Sequence, residues 1–215
     1  MPLTIALLPG DGIGPEVTAE AVRILKNVAD HSGKPFTFST HLIGGAALDA
    51  DGVGLPDRTL EACLGANAVL LGAVGHPKFD GRRPQERPEA AILALRQALG
   101  GFANLRPSVC YPALARRTPY QPERVRGANV LILRELLGGL YYGEPRGFEA
   151  SGNTAFNTMI YSRHEIERIA RVAFERARER KKQLASIDKA NVLEDRKSTR
   201  LNSSHVALSR MPSSA

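Results

Sequence analysis

The sequence predicts an α/β protein, a parallel or mixed sheet with helices on both faces. Three observations carry this. Residues 3–8 (LTIALL) and 67–75 (NAVLLGAVG) are apolar nearly throughout, as strands buried on both faces are. Between them runs a segment of helical rather than alternating period. Strand, helix, strand, helix, strand in that order is the pattern of a parallel layer.

The elements follow in order. LTIALL is a buried strand, stopped by PGDGIG. EVTAEAVRILKNVAD is a helix with Val17, Ala21, Ile24, Leu25 and Val28 at spacings of three and four, and Pro15 sits where a first turn tolerates it. FTFSTHL alternates Phe36, Phe38, Thr40 and Leu42 as a half-buried strand. PDRTLEACLGA is a short helix, NAVLLGAVG a strand ending in glycine, and RPEAAILALRQALGG a helix stopped by Gly100 and Gly101. FANLRPSVCYP reads as extended chain. Pro112, Pro119 and Pro122 then break a loop-rich stretch, and the pattern changes. NVLILREL is a strong strand, LYYGEPRGFEASGN is rich in turns, and TAFNTMIYS is a further strand. A long helix spans about Ser162 to Gln183, with a capping box in Ser162 and Glu165 and an apolar face of Ile166, Ile169, Ala173 and Ala177. LASIDKANVL is the last ordered element expected. There is no internal repeat.

Composition excludes several classes. With 43% apolar and 24% charged residues the chain is an ordinary globular one. It has no apolar run long enough to span a membrane and no secretory signal pattern at its start, so a cytoplasmic protein without membrane contact is expected. Cys63 and Cys110 fit no metal spacing and are expected to be reduced thiols. The net charge is +7, and Arg196, Lys197, Arg200 and Arg210 against Asp195 supply part of it. The remaining basic residues are scattered or interleaved with glutamates, without an aromatic–basic stripe, so no nucleic-acid partner is expected.

The residues that could carry chemistry are few. PGDGIGPE places Gly10, Gly12 and Gly14 between a strand and a helix, but as G-x-G-x-G, not the G-x-G-x-x-G of a dinucleotide loop. A tight turn explains it equally well. Arg96 lies on a helix, Arg106 in extended chain, and Arg134 closes an apolar strand. A charge at the end of such a strand is costly unless it meets an anion. Guanidinium binds carboxylate bidentately, so converging arginines suit a substrate with two or three carboxylates. Each could instead serve a surface or an ion pair. Tyr141 beside a turn could act as a general acid or simply pack. Lys189, behind Asp188, could be a partly buried base or a solvent-facing strand end.

Five stretches, LLPGDGIGPEV, LLGAVGHPKFDG, RPEAAILALRQALGGFANLRP, LILRELLGGLYYGEPRG and SIDKANVLE, occur here in one order. Together they closely resemble the β-decarboxylating dehydrogenases of the isocitrate/isopropylmalate dehydrogenase family, from about Leu3 to Glu194. The resemblance implies oxidative decarboxylation of (2R,3S)-3-isopropylmalate with NAD+ and Mg2+ or Mn2+, a step of leucine biosynthesis, in a homodimer. It implies that Arg96, Arg106 and Arg134 clamp the carboxylates and that Tyr141 protonates the enolate. Lys189 would assist deprotonation of the hydroxyl from across the dimer interface, and Asn191 would lie near the nicotinamide. Glu89 and Ile92 stand where isocitrate-type members carry serine and asparagine. An apolar Ile92 suits an isopropyl group, at a few tenths to about 1 kcal/mol per buried carbon. Tartrate-, malate- or isocitrate-type activity and a non-catalytic fragment are the alternatives. His76 and Phe79 depart from the family wording GGPKWD.

The resemblance also sets expected boundaries: 1–105 as the first half of a cofactor-side domain and 106–194 as part of a substrate and dimerisation domain with an interlocking arm. Residues 195–215 resemble nothing in the family and are expected to be a non-native, disordered tail. The aspartates that would hold the metal are expected beyond the chain, which is expected to be inactive alone.

Overall fold

The computed structural model describes residues 2–187 and the backbone of 205–208. The chain divides at Gly100/Gly101 into two compact units. Strand β4, described below, lies wholly in the second, although the expected boundary at 105/106 would cut it.

In the first unit, β1 (Leu3–Gly10) runs between β2 (Phe36–Thr40) and β3 (Ala68–Ala73), and both pairings are parallel. A central parallel strand has no solvent face, and Ile5, Ala6, Leu7 and Leu8 are all buried. Ala6 and Leu8 join Ile43, Cys63, Ala91 and Leu95 in one core cluster. Cys63 comes from α3 (Asp57–Gly65), and Ala91 and Leu95 from α4 (Pro88–Ala98). Helix α1 (Gly14–Ser32) covers the opposite face, where its Thr18 meets Gly72 of β3. The expected parallel sheet with helices on both faces is therefore present.

The facing side of α1 differs from the expected stripe. Val17, Ile24 and Val28 are exposed at 47%, 57% and 48%, whereas Gly14 and Thr18 are buried and Leu25 and Ala29 half-buried. The reason is closeness. Gly14 lies so near Pro9 and Ala73 that a Cβ there would overlap the Pro9 carbonyl oxygen, so the small-residue face docks and the bulky one turns outward. A seven-residue helix, α2 (Gly45–Asp51), has no counterpart in the sequence reading. It is too short to hold itself, and its first N–H groups are bonded by a residue distant in sequence, described below.

In the second unit, β4 (Ala103–Val109) pairs antiparallel with β5 (Asn129–Glu135). The helical turn α5 (Pro122–Val125) lies in the loop between them. Helix α6 (Arg163–Glu179) packs Ile169, Ala173 and Ala177 on Leu131 and Leu133 of β5. The capping box forms as read: the Ser162 hydroxyl accepts from the Glu165 N–H, and the Glu165 carboxylate from the Ser162 N–H. Short strands β6 (Gly147–Phe148) and β7 (Ala155–Phe156) make a two-residue ribbon. The strand expected over 154–162 shrinks to β7, because β6 offers it only two partners. Strand β8 (Ala185–Ile187) pairs with β9 (His205–Leu208), which also pairs with β5. The sheet order is β4-β5-β9-β8. Residues 205–208 run as a strand along the edge of β5, and the rest of the segment expected as a disordered tail lies outside the described residues.

Candidate active site

Side chains alternate across a strand, and residues directly opposite in an antiparallel pair share a face. Leu131 and Leu133 of β5 point to α6, so Ile132 and Arg134 point away from it. Asn104 stands opposite Arg134, and Arg106 opposite Ile132. The register therefore puts Asn104, Arg106 and Arg134 on the sheet face away from the helix. The Arg106 Nε–H donates to Asn104 Oδ1 at 2.6 Å. Four residues past the end of β5 a 3-10 turn, Gly139–Tyr141, brings the Tyr141 ring over Arg134, with the guanidinium carbon 5.1 Å from the ring centroid. Arg146 fixes the same turn by donating to the Tyr141 carbonyl at 2.8 Å and pairing with Glu144 at 3.1 Å.

Neither Arg106 nor Arg134 has a carboxylate partner among the described residues, whereas Arg168, Arg146 and Arg176 each do. Two guanidinium forks on one face without an acid form a surface that accepts carboxylates. A half-exposed phenol is stacked on one of them, and a phenol is a group that can donate a proton.

Helix α4 of the first unit holds the rest of the expected set. Glu89, Ile92 and Arg96 are three and four residues apart and share one side of the helix, while Ala91 and Leu95 face the core. Glu89 is exposed, Ile92 and Arg96 half-buried, and the Glu89 carboxylate lies over Gly75. Lys189 and Asn191 lie outside the described residues.

The glycine turn after β1 serves the fold. Gly10 and Gly12 adopt φ of +75° and +56°. Asp11 is turned inward: its Oδ2 accepts from the N–H groups of Gly45 (2.8 Å) and Gly75 (2.9 Å), and its Oδ1 from Ala46 (2.7 Å). One buried carboxylate thus caps α2 and ties it to the loop after β3. Among the described residues no three His, Cys, Asp or Glu side chains gather as metal ligands, so these residues alone do not fit a resident divalent metal. No helix of the described residues is long and apolar enough to cross a membrane. Burial pushes the Cys63 thiol pKa up.

Sequence reasoning missed Asn104, Asp11 and the buried acid Glu135. The first was legible in principle, since in ANLRP it precedes Arg106 by one strand period.

An α/β unit entered through a glycine turn, followed by a sheet face that carries two arginines without a carboxylate partner among the described residues and a tyrosine stacked on one of them, defines the class. The chain belongs to the isocitrate/isopropylmalate dehydrogenase family, whose model matches residues 4–213. It is 52% identical over 190 residues to 3-isopropylmalate dehydrogenase of Bacillus caldotenax, covering 88% of this chain and 52% of the relative. It is 55% identical to the enzyme of the same name from Salinibacter ruber, with the same coverage. The chain spans about half the length of the curated relatives it matches. Among solved structures it is similar to isocitrate dehydrogenase from Methylococcus capsulatus (TM-score 0.66, 29% identity, 82% of this chain and 48% of that one). It is also similar to a β-decarboxylating dehydrogenase from Thermococcus kodakarensis (TM-score 0.58, 32% identity, 83% and 46%).

Proposed function

We propose that this chain carries the substrate-binding face of an enzyme that oxidatively decarboxylates (2R,3S)-3-isopropylmalate in leucine biosynthesis. The observation that carries the reading is the group Asn104–Arg106, Arg134 and Tyr141 on one sheet face, with no acid paired to either arginine among the described residues. Arg106 and Arg134, with Arg96, hold the carboxylates and orient the C2 hydroxyl. Lys189 takes the hydroxyl proton. NAD+, when bound, would supply the oxidant for C2. The C–C bond to the β-carboxylate then breaks, CO2 leaves, and the electron pair forms an enolate. Tyr141 donates a proton to the enolate carbon, and the stacked guanidinium stabilises the phenolate left behind. Ile92 meets the isopropyl group, and a carboxylate in its place would meet Glu89.

Mg2+ or Mn2+ belongs to the reading through the family and finds no ligand set among the described residues. Asn191 beside the nicotinamide, a cytoplasmic homodimer, and an arm around the β6–β7 ribbon as its interlocking part complete the reading. Phe148 on that ribbon is 74% exposed, which suits a surface that a second copy covers.

The test is a folded chimera of residues 3–194 followed by the remaining half of the Bacillus caldotenax relative. It is expected to form NADH with 3-isopropylmalate and Mg2+, and to leave isocitrate and tartrate untouched. Preference for isocitrate would overturn the substrate. No NADH with any of the three would overturn the reaction.

A further inference from the structure

We infer that the pair of buried Glu135 and half-buried Arg168 is a positioning device for Tyr141, the proton donor of the reading above, on which this inference rests. Glu135 ends β5 directly after Arg134, on the α6 side of the sheet, and is 4% exposed. Arg168 of α6 donates from Nη2 to its Oε1 at 2.6 Å, and the other carboxylate oxygen accepts the Gly138 N–H at 2.7 Å. The Arg168 guanidinium lies 4.8 Å from the centroid of Phe102. The carboxylate therefore closes the chain between Arg134 and Tyr141 into a turn, and the helix cation holds the carboxylate.

The far side of that turn is equally fixed. Gly139 donates to the Ile160 carbonyl at 2.8 Å, and Gly143 to the Gly139 carbonyl at 2.8 Å. Gly139 sits at φ +76°, and a Cβ there would overlap the Tyr161 hydroxyl. The ring that stacks on Arg134 is thus placed from behind, by groups on the opposite side of the sheet.

Stability alone does not account for the pair. Burying a carboxylate and most of a guanidinium is costly, and apolar replacements of similar volume are often as stable or more so. Arg168 Nε is buried without a hydrogen-bond partner among the described residues, an added penalty that packing would avoid. What an apolar pair could not supply is the acceptor for Gly138.

The test uses the full 215-residue chain labelled with 3-fluorotyrosine, without substrate. Its five tyrosines give five fluorine resonances, and Tyr141→Phe assigns one. Well below the melting temperature, Glu135→Gln and Arg168→Met are expected to move the Tyr141 line toward free 3-fluorotyrosine while Tyr111 and Tyr120 stay in place. Arg168→Lys is expected to restore it. Should a single variant not fold, Glu135→Leu/Arg168→Met exchanges the ion pair for an apolar pair that offers Gly138 no acceptor, and is read in the same way. A lower melting temperature with an unmoved Tyr141 line would overturn the inference. The readout needs no turnover, so a chimera that rejects 3-isopropylmalate would sink the substrate reading and leave the positioning result standing.

Discussion

Asn104 shows how much one neutral side chain can set. Its Oδ1 holds the Arg106 guanidinium at 2.6 Å, directly across the ladder from Arg134. Replacing it with leucine frees that fork. A hydrogen bond to a charged group contributes about 1.5 kcal/mol, so substrate binding by the chimera should weaken about 10-fold in KM, with the melting temperature nearly unchanged. Arg134→Met should cost more, about 100-fold in kcat/KM, because it removes a carboxylate fork and the cation beneath Tyr141 together. Away from the site, the buried Cys63 is held as a neutral thiol by desolvation. Iodoacetamide at pH 8 should modify Cys110 first and reach Cys63 only after denaturant is added, as mass spectrometry would show. At this scale Arg134 stood out because a charge that ends an apolar strand is costly unless it meets an anion, and the register sets it on one face with Arg106. Asn104 could have been read one strand period before Arg106, but Asp11 and Glu135 could not, since a polar residue declares its role only when its partner is known, and Asp11 finds its partners 34 to 64 residues away.

Elements were legible where the local signal and the tertiary demand agree. Ser162 and Glu165 announce the start of α6, and both bonds form. Ser162→Ala should lower stability by about 1 kcal/mol in a denaturant melt. Leu133 is fully buried between β5 and α6, and Leu133→Ala should cost about 2–5 kcal/mol by the same measurement. Legibility failed where the two signals part. In α1 both the bulky positions Val17, Ile24 and Val28 and the small ones Gly14, Thr18 and Ala21 have helical period, and only the closeness demanded by Pro9 and Ala73 chooses between them. The strand expected over 154–162 had the composition and lacked a partner.

At the scale of the molecule, each unit has its own core: Ala6, Leu8, Ile43, Cys63, Ala91 and Leu95 in the first, and Leu131, Leu133, Ile169, Ala173 and Ala177 in the second. Inserting two glycines between Gly100 and Gly101 should leave amide exchange of β1 and β5 unchanged, because no residue of either core comes from the other unit. The family was legible in five linked motifs, and matching relatives share about half their length with this chain. The register of β4 on β5 has a consequence of its own. Sliding β4 by one residue would carry Arg106 and Asn104 to the α6 side and turn Ala103 away from the core cluster under α6. The pairing that packs Ala103 against that core therefore also decides which face the Asn104–Arg106 pair presents.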